Sequence, residues 1–215
     1  KKNTSKTPYI AVEGPIGVGK TTLAKKLAQS LQGELLLENA NDNPFLDRFY
    51  QDPKSGALPA QLYFLFQRSR QLKEAAQADL FINQRVADFI MEKDRLFARA
   101  TLDKAELALY EQVYQNITID APNPDLVIYL QAPVELLHKR IRQRGETREM
   151  SINSDYLQKL SNAYTDFFHY YDSSPLLIVN ASGIDLVNNP DHYQQLLERI
   201  AQTSKGRHYF NPASI

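Results

Sequence analysis

A glycine-rich string between an apolar run and a helical pattern constrains this 215-residue chain more than any other feature. Residues 14–21 read Gly-Pro-Ile-Gly-Val-Gly-Lys-Thr and fit the pattern G-x-x-x-x-G-K-[ST]. The preceding run, Tyr9–Val12, predicts a buried strand, and Leu23, Leu27 and Leu31 repeat at helical spacing after the string. A strand, a glycine-rich turn and a helix in this order are the context of a phosphate-binding P-loop.

The residues of this string are suited to a nucleoside triphosphate. Its glycines let the backbone curl so that N–H groups point at the phosphates, and the start of the following helix adds partial positive charge. Lys20 can reach the terminal phosphates, and the Thr21 hydroxyl can bind Mg²⁺. We therefore predict ATP and Mg²⁺ as cofactors. The residues expected at the ATP phosphates are Gly14, Pro15, Ile16, Gly17, Val18, Gly19, Lys20, Thr21 and Thr22.

Apolar runs alternate with helical patterns along the rest of the chain. Continuous apolar strands separated by helices predict an α/β fold with a parallel sheet covered on both faces. Ligands of such a sheet bind beyond the carboxyl ends of its strands. After the first strand we expect strands at 35–37, 85–89, 126–130 and 176–179. Later helices are expected at about 59–78, 102–114, 133–144, 156–168 and 193–200.

Composition limits the functions that the chain can have. It contains 25 basic and 25 acidic residues, so we expect neither a nucleic acid nor a membrane as partner. Cysteine is absent, which excludes disulfides and thiolate catalysis and favours a cytoplasmic location. We expect a flexible segment at 1–7, one domain at 8–203 and a tail at 204–215. The chain does not begin with methionine, which leaves open trimming or a longer parent protein.

Six segments in a fixed order resemble the deoxynucleoside kinase family, which includes deoxycytidine, deoxyguanosine and deoxyadenosine kinases. They read YIAVEGPIGVGKTTLAKKLA, NPFLDRFYQDP, AQLYFLFQRSRQL, VADFIMEKDRLFA, DLVIYLQAPVELLHKRIRQRGETRE and DYLQKLSNAYTDFF. The resemblance implies a P-loop kinase with five parallel strands in the order 2-3-1-4-5 and an arginine-rich lid. It also implies transfer of phosphate from ATP to the 5′-hydroxyl of a 2′-deoxynucleoside, and a homodimer.

The resemblance implies roles for the charged residues beside the P-loop. Glu38, after the second strand, matches the family's general base, and a base of ordinary pKa suffices because the nucleophile keeps its proton late. Asp88 matches the acid of an acid-Arg-Ser motif and is expected to assist the metal. Arg85 comes before this acid instead of after it, so the residue that contacts the acceptor hydroxyl stays open.

A second group of residues is expected to recognise the base. Gln61 and Arg68 are seven residues apart and therefore share one helix face, where an amide and a guanidinium can pair with base edges. The resemblance assigns both to the base and Phe97 to stacking on it. It also places an aspartate beside the base, where Lys93 is aligned and Asp94 follows. The preference among deoxyadenosine, deoxyguanosine and deoxycytidine stays open.

A basic lid is expected at about residues 139–152. Arg140 and Arg144 lie one helical turn apart and can clamp a phosphate chain from one face. The resemblance assigns both to catalysis, and it assigns Tyr50 and Glu149 to the sugar 3′-hydroxyl. The residues expected beside the donor adenine, after the last strand, are Asp185 and Leu186.

Two other functions fit parts of this pattern. A nucleoside monophosphate kinase of thymidylate-kinase type would need a cation near Glu38 for its charged acceptor, but the segment that follows offers none before Arg48. A nucleotide-sensing module without turnover would bind ATP and be indifferent to Glu38→Gln. The bare carboxylate favours the nucleoside as acceptor.

Overall fold

The computed structural model describes residues 8–77, 84–117, 122–186 and 188–211, so the predicted flexible segment at 1–7 lies outside the described residues. The strands are β1 (Tyr9–Glu13), β2 (Glu34–Leu36), β3 (Arg85–Ala87), β4 (Leu126–Gln131), β5 (Leu176–Asn180) and β6 (Arg207–Phe210). They form one parallel sheet with the order β2-β3-β1-β4-β5-β6. The α/β fold and the order 2-3-1-4-5 are confirmed, but the predicted count of five strands is wrong.

The sixth strand comes from the segment that was expected to be a tail. In β6, Arg207 pairs with Leu176 and Phe210 pairs with Val179 of β5. The sequence of this strand, Arg-His-Tyr-Phe, carries no apolar run, and each of its side chains keeps some exposure to solvent. Backbone hydrogen bonds to β5 therefore define it more than side-chain burial does, and a search for apolar runs cannot find it.

Helices cover both faces of the sheet. They are α1 (Lys20–Leu31), α2 (Leu46–Gln51), α3 (Pro53–Gln77), α4 (Lys93–Thr101), α5 (Lys104–Ile117), α6 (Val134–Arg144), α7 (Ser154–Tyr170) and α8 (Pro190–Gln202), with 3-10 helices at Ala40–Asp42 and Thr147–Ser151. Among the described residues, none of these helices is both long and apolar enough to span a bilayer.

Local signals explain where two of these helices begin. The long helix α3 begins at Pro53, whereas the sequence predicted a start at Pro59. Both prolines suit a first helical turn, and the helix uses the earlier one.

A capping interaction marks the start of α5, which corresponds to the helix predicted at about 102–114. Asp103 accepts a hydrogen bond from the Glu106 N–H (2.9 Å), and Glu106 accepts one from the Asp103 N–H (3.2 Å). This reciprocal pair is a capping box, and it starts α5 at Lys104.

The strands bury both faces, as expected for a parallel sheet between helices. In β1, Tyr9 and Ala11 join the core beneath α3, α4, α5 and α7. Ile10 and Val12 point the other way and join the core beneath α1, α6 and α8. The alternation follows from the two-residue period of a strand. Because β2, β3 and β1 are adjacent and parallel, the loops that leave their carboxyl ends meet at one edge of the sheet.

Candidate active site

The P-loop leaves β1 in a conformation that needs glycine. Gly14 has φ +149°, and a Cβ there would lie 2.5 Å from the Leu130 carbonyl oxygen of β4. Gly17 has φ +84°, and a Cβ there would lie 2.8 Å from the Leu137 carbonyl oxygen of α6. The loop backbone is therefore packed directly against a neighbouring strand and against the helix that carries the predicted lid arginines.

Lys20 is folded back over this loop. Its Nζ donates to the carbonyl oxygens of Gly14 (2.8 Å) and Pro15 (3.2 Å). Burial and the nearby charge of Lys93 lower the pKa of Lys20 to about 8, while neighbouring carboxylates oppose the shift. The ammonium group is therefore charged at pH 7, and a bound phosphate would stabilise that charge further.

Thr21, in the first turn of α1, and Asp88, directly after β3, place two oxygen-bearing side chains next to each other. The Thr21 hydroxyl donates to Asp88 Oδ2 (2.7 Å), and the Glu38 N–H donates to Asp88 Oδ1 (2.8 Å). Hard oxygen donors of this kind suit Mg²⁺, which usually takes one or two protein ligands together with phosphate oxygens and water. The part of the chain that the structure describes holds no cluster of three or more His, Cys, Asp or Glu. The pair therefore fits a metal that arrives with ATP.

Glu38 follows β2 by two residues and lies between two cations. Lys93 Nζ donates to its Oε2 (2.7 Å), and Arg68 forms an ion pair with its Oε1. Burial alone raises the pKa of this carboxyl, but Arg68 and Lys93 more than offset that effect and hold it at about 2. Glu38 is therefore an ionised carboxylate, as a proton acceptor must be.

Arg68 also connects Glu38 to the region expected to bind the base. Its guanidinium donates to Asp94 Oδ2 (2.5 Å), and both side chains are buried. Burial raises the pKa of Asp94 to about 6, although Arg68 opposes the shift. Asp94 therefore pairs with Arg68, while its neighbour Lys93 pairs with Glu38.

Gln61 carries a buried amide oxygen that no other described residue satisfies. Its Oε1 is buried and accepts no hydrogen bond there, although the residue is only 3% exposed. A buried amide oxygen without a partner is costly, and because Gln61 lines a cavity, a ligand group there can complete it. Phe97 is half-buried nearby and meets the Tyr164 ring edge-to-face at 6.1 Å.

The predicted acceptor residues line one cavity of about 270 Å³. It is lined by Lys20 and Asp88, which were expected to be catalytic, and by every residue that was expected to bind the substrate, which are Glu38, Tyr50, Gln61, Arg68, Phe97 and Glu149. Burial, followed by the charge of Glu149, raises the pKa of Tyr50. The expected substrate residues lie after β2, in α2, α3 and α4, and after α6, and the fold places them around one cavity.

Most of the predicted donor residues line a second cavity of about 710 Å³, but Gly14, Pro15 and Ile16 do not. Its walls include the P-loop from Gly17 to Thr22, both lid arginines, and Asp185 and Leu186. The two cavities share Lys20, Thr21 and Arg144, together with Gly17. A donor in one cavity and an acceptor in the other would therefore meet at the P-loop lysine.

The lid arginines are held in different ways. Arg140 donates to the carbonyl oxygens of Val18 (3.1 Å) and Ala181 (3.0 Å), so it joins the P-loop to the loop after β5. Burial lowers its pKa. Arg144 forms an ion pair with Glu149 across the turn at the end of α6. Its guanidinium can exchange this surface partner for a phosphate at little cost, since exposed pairs contribute about 0–1 kcal/mol.

Arg85 does not reach either cavity. Its Nε pairs with Glu34 Oε2 (2.7 Å), and it donates to the Ala75 carbonyl oxygen (2.6 Å). These contacts join β3 to the edge strand and to the end of α3. These contacts of Arg85 are structural, and they do not place it at the acceptor hydroxyl.

Glu13 is a buried residue beside the P-loop that the sequence analysis did not single out. Its side chain is fully buried and accepts hydrogen bonds from the Gly14 N–H (3.0 Å), the Ile90 N–H (2.9 Å) and the Tyr164 hydroxyl (3.0 Å). It therefore joins the P-loop to the segment between β3 and α4. The signal was present, because a glutamate at the end of an apolar strand needs buried partners.

Known proteins resemble this chain over nearly all of its length. The sequence profile of the deoxynucleoside kinase family matches residues 10–204. Deoxyguanosine kinase of Bacillus subtilis (strain 168) is 34% identical over 200 residues, which cover 91% of this chain and 97% of that protein. Deoxyadenosine/deoxycytidine kinase of the same strain is 29% identical over 204 residues, which cover 91% and 93%. A solved structure of deoxyadenosine kinase from M. mycoides has a TM-score of 0.80 at 26% identity, and the match covers 90% of this chain and 99% of that chain.

Proposed function

Because the chain belongs to the deoxynucleoside kinase family, we propose a role for each residue of its two cavities in the transfer of phosphate from ATP to a deoxynucleoside. The predicted family and enzyme class are confirmed, and the chain is an ATP-using kinase that phosphorylates 2′-deoxynucleosides in nucleotide salvage. The residue roles that we propose depend on one observation, which is that Lys20, Thr21 and Arg144 line both cavities. Reacting groups held there would be close and aligned.

The donor side binds and neutralises the phosphates of ATP. The loop amides at Gly17–Thr22 face the phosphates, and Lys20 leaves its carbonyl partners to contact the terminal ones. Asp185 and Leu186 lie where the adenine would rest. Thr21 and Asp88 would hold Mg²⁺, which when bound neutralises charge on the phosphate oxygens.

The acceptor side recognises a base and a sugar. The unsatisfied amide of Gln61 can both donate and accept, which matches the edge of adenine, guanine or cytosine. Arg68, fixed by Asp94, adds donors on the same side, and Phe97 offers a face for stacking. We propose purine and cytosine deoxynucleosides as acceptors, since the relatives are named for deoxyguanosine, deoxyadenosine and deoxycytidine.

Glu38 receives the proton of the acceptor. The 5′-oxygen forms a bond to the terminal phosphorus of ATP, and the bond from that phosphorus to the bridging oxygen breaks to release ADP. A carboxylate with a pKa near 2 is a weak base. It suffices because the nucleophile keeps its proton until late in a loose phosphoryl transition state. The proton then passes to Glu38.

The lid and the sugar contacts complete the site. We propose that Tyr50 and Glu149 hold the sugar 3′-hydroxyl, since both line the acceptor cavity. Arg144 would exchange Glu149 for the transferring phosphoryl group, and Arg140 would keep the P-loop and the adenine loop in register. Closure would exclude water and limit ATP hydrolysis. A homodimer and a cytoplasmic location, typical of such kinases, are part of the same proposal.

The monophosphate kinase remains the rival to exclude by experiment. The sequence argument against it was that no cation follows Glu38 closely along the chain. The structure contradicts this argument, because Arg68 of α3 and Lys93 of α4 both form ion pairs with Glu38. Deoxyadenosine, deoxyguanosine and deoxycytidine should be compared with their 5′-monophosphates as acceptors of ATP, with products identified by mass spectrometry. We expect monophosphates from the nucleosides. Diphosphates formed only from the monophosphates would overturn the proposal, and ADP release that needs no acceptor would favour a sensing module.

A further inference from the structure

Lys93 occupies a position that is unfavourable for a lysine unless it has a task there. It is the first residue of α4, where the helix dipole favours anions over cations. Its side chain is only 5% exposed, so the ammonium group has lost most of its water. Burial of an ammonium is costly, and here Glu38 compensates it at 2.7 Å.

The position also faces the reacting groups. Lys93 lines the acceptor cavity together with Lys20, Glu38 and Asp88. The other cation at Glu38 is Arg68, which is shared with Asp94 on the base side. Among the described residues that line this cavity, two cations pair with Glu38. Arg68 also pairs with Asp94, whereas Lys93 pairs with Glu38 alone.

We propose that Lys93 is a catalytic residue that binds the acceptor 5′-oxygen and an oxygen of the transferring phosphoryl group. The proposal rests on the kinase reaction described above. An ammonium group has three donors, so Lys93 can keep one hydrogen bond to Glu38 and give one each to the two reacting oxygens. As the 5′-oxygen bonds to phosphorus and the proton moves to Glu38, Lys93 stays protonated and stabilises the negative charge that passes to the phosphoryl oxygens and to ADP.

Neither the residue after Asp88 nor the nearby Arg85 is placed to do this. The residue directly after Asp88 is Phe89, which is fully buried in the core, so it supplies no donor. Arg85 is turned toward Glu34 on the edge strand. Lys93, at the start of α4, therefore contacts the acceptor hydroxyl in place of the arginine of the acid-Arg-Ser motif.

A structural role for Lys93, limited to holding Glu38 in place, predicts different ligand binding. The two ligands that separate the roles are a deoxynucleoside and its 5′-monophosphate, since only the product carries the transferred phosphate. A residue that contacts both the 5′-oxygen and the charged phosphoryl group contributes more to the affinity for the monophosphate than to the affinity for the deoxynucleoside. A residue that only supports Glu38 affects both alike.

Calorimetric titration of Lys93→Met with deoxyadenosine and its 5′-monophosphate, next to kcat, tests the proposal. We expect the monophosphate to bind about 10-fold to 100-fold more weakly, within the range for charge-assisted hydrogen bonds, while deoxyadenosine changes less than about 3-fold. We expect kcat to fall about 100-fold or more, as for loss of one donor to a developing charge. Lys93→Arg should recover part of both losses.

The control is Lys159→Met, because Lys159 is exposed on α7 and lines neither cavity. Equal losses of affinity for deoxyadenosine and its monophosphate would overturn the role of Lys93. So would an unchanged ratio of the two affinities together with a kcat within 10-fold of wild type (about 1.4 kcal/mol). If circular dichroism shows that Lys93→Met does not fold, Lys93→Gln takes its place with the same expected ratio. Wild-type protein that phosphorylates no deoxynucleoside would refute the proposed function, while the affinity ratio would still report on Lys93.

Discussion

Glu38→Gln tests the proposed chemistry most directly because it removes a charge and a base without changing the shape of the side chain. The wild-type carboxylate has a pKa of about 2 and accepts hydrogen bonds from two buried cations. The amide can accept a hydrogen bond from one of them but cannot take a proton from the acceptor. We expect turnover to fall by at least about 100-fold, the usual scale for loss of a general base.

The same change should also lower the free energy of unfolding, and the size of this loss should depend on pH in a predictable direction. The pKa of Glu38 is lower in the folded chain than the ordinary value of 4.5. Its ion pairs therefore stabilise the native state above about pH 4.5, and this contribution disappears as the pH falls toward 2. At neutral pH we expect a loss of about 1–3 kcal/mol, because Lys93 keeps its charge without a full partner. In a chain of this size, each kcal/mol of lost stability lowers Tm by about 2–4 °C.

The assay is steady-state release of ADP with each deoxynucleoside, together with thermal unfolding followed by circular dichroism. Glu34→Gln is the matched control, since Glu34 also forms an ion pair with a buried arginine, Arg85, but lies outside both cavities. The control should keep kcat within about 2-fold, as expected for a change away from the reacting groups. Wild-type turnover in folded Glu38→Gln would show that this carboxylate is not the base.

Three further outcomes follow from the same geometry. Burial and Lys93 lower the pKa of Lys20 to about 8, so ATP affinity measured by equilibrium dialysis should fall as the pH rises through 8, and Lys20→Met should abolish this dependence. Asp88→Asn weakens the pair with Thr21, so the Mg²⁺ concentration at half-maximal activity should rise by about 10-fold or more, and an unchanged value would contradict a metal role. Gln61→Leu removes the unsatisfied amide and should raise KM for the deoxynucleoside about 10-fold or more while KM for ATP stays constant, whereas equal effects on both would place Gln61 outside the base site.

Local patterns predicted the parts of the fold that local physics determines. The P-loop was predictable because its glycines, lysine and threonine are contiguous and lie between a strand and a helix. The strands β4 and β5 were predictable because both of their faces are buried, which produces continuous apolar runs. The strand β6 was not, because it lies at the sheet edge and its side chains remain partly exposed.

Contacts between distant segments were harder to predict than the segments themselves. Arg85 and Asp88 are close in sequence, yet Arg85 pairs with the edge strand while Asp88 faces the P-loop. Lys93 and Asp94 are adjacent, yet they bind Glu38 and Arg68 respectively. In a helical first turn, successive side chains point about 100° apart, so one residue of offset decides which partner each group reaches.

The charges around Glu38 favour a neutral acceptor for a reason that the sequence could not supply. Cations do lie beside Glu38, but both are already paired with carboxylates, Lys93 with Glu38 and Arg68 with Glu38 and Asp94. An acceptor phosphate at this point would bring its negative charge against a carboxylate whose pKa of about 2 keeps it ionised at any physiological pH. A hydroxyl brings no charge and can donate to that carboxylate. Beside its bond to Glu38, Lys93 can then stabilise the charge that arrives only with the transferred phosphoryl group, which makes its contribution larger in the transition state than in the ground state.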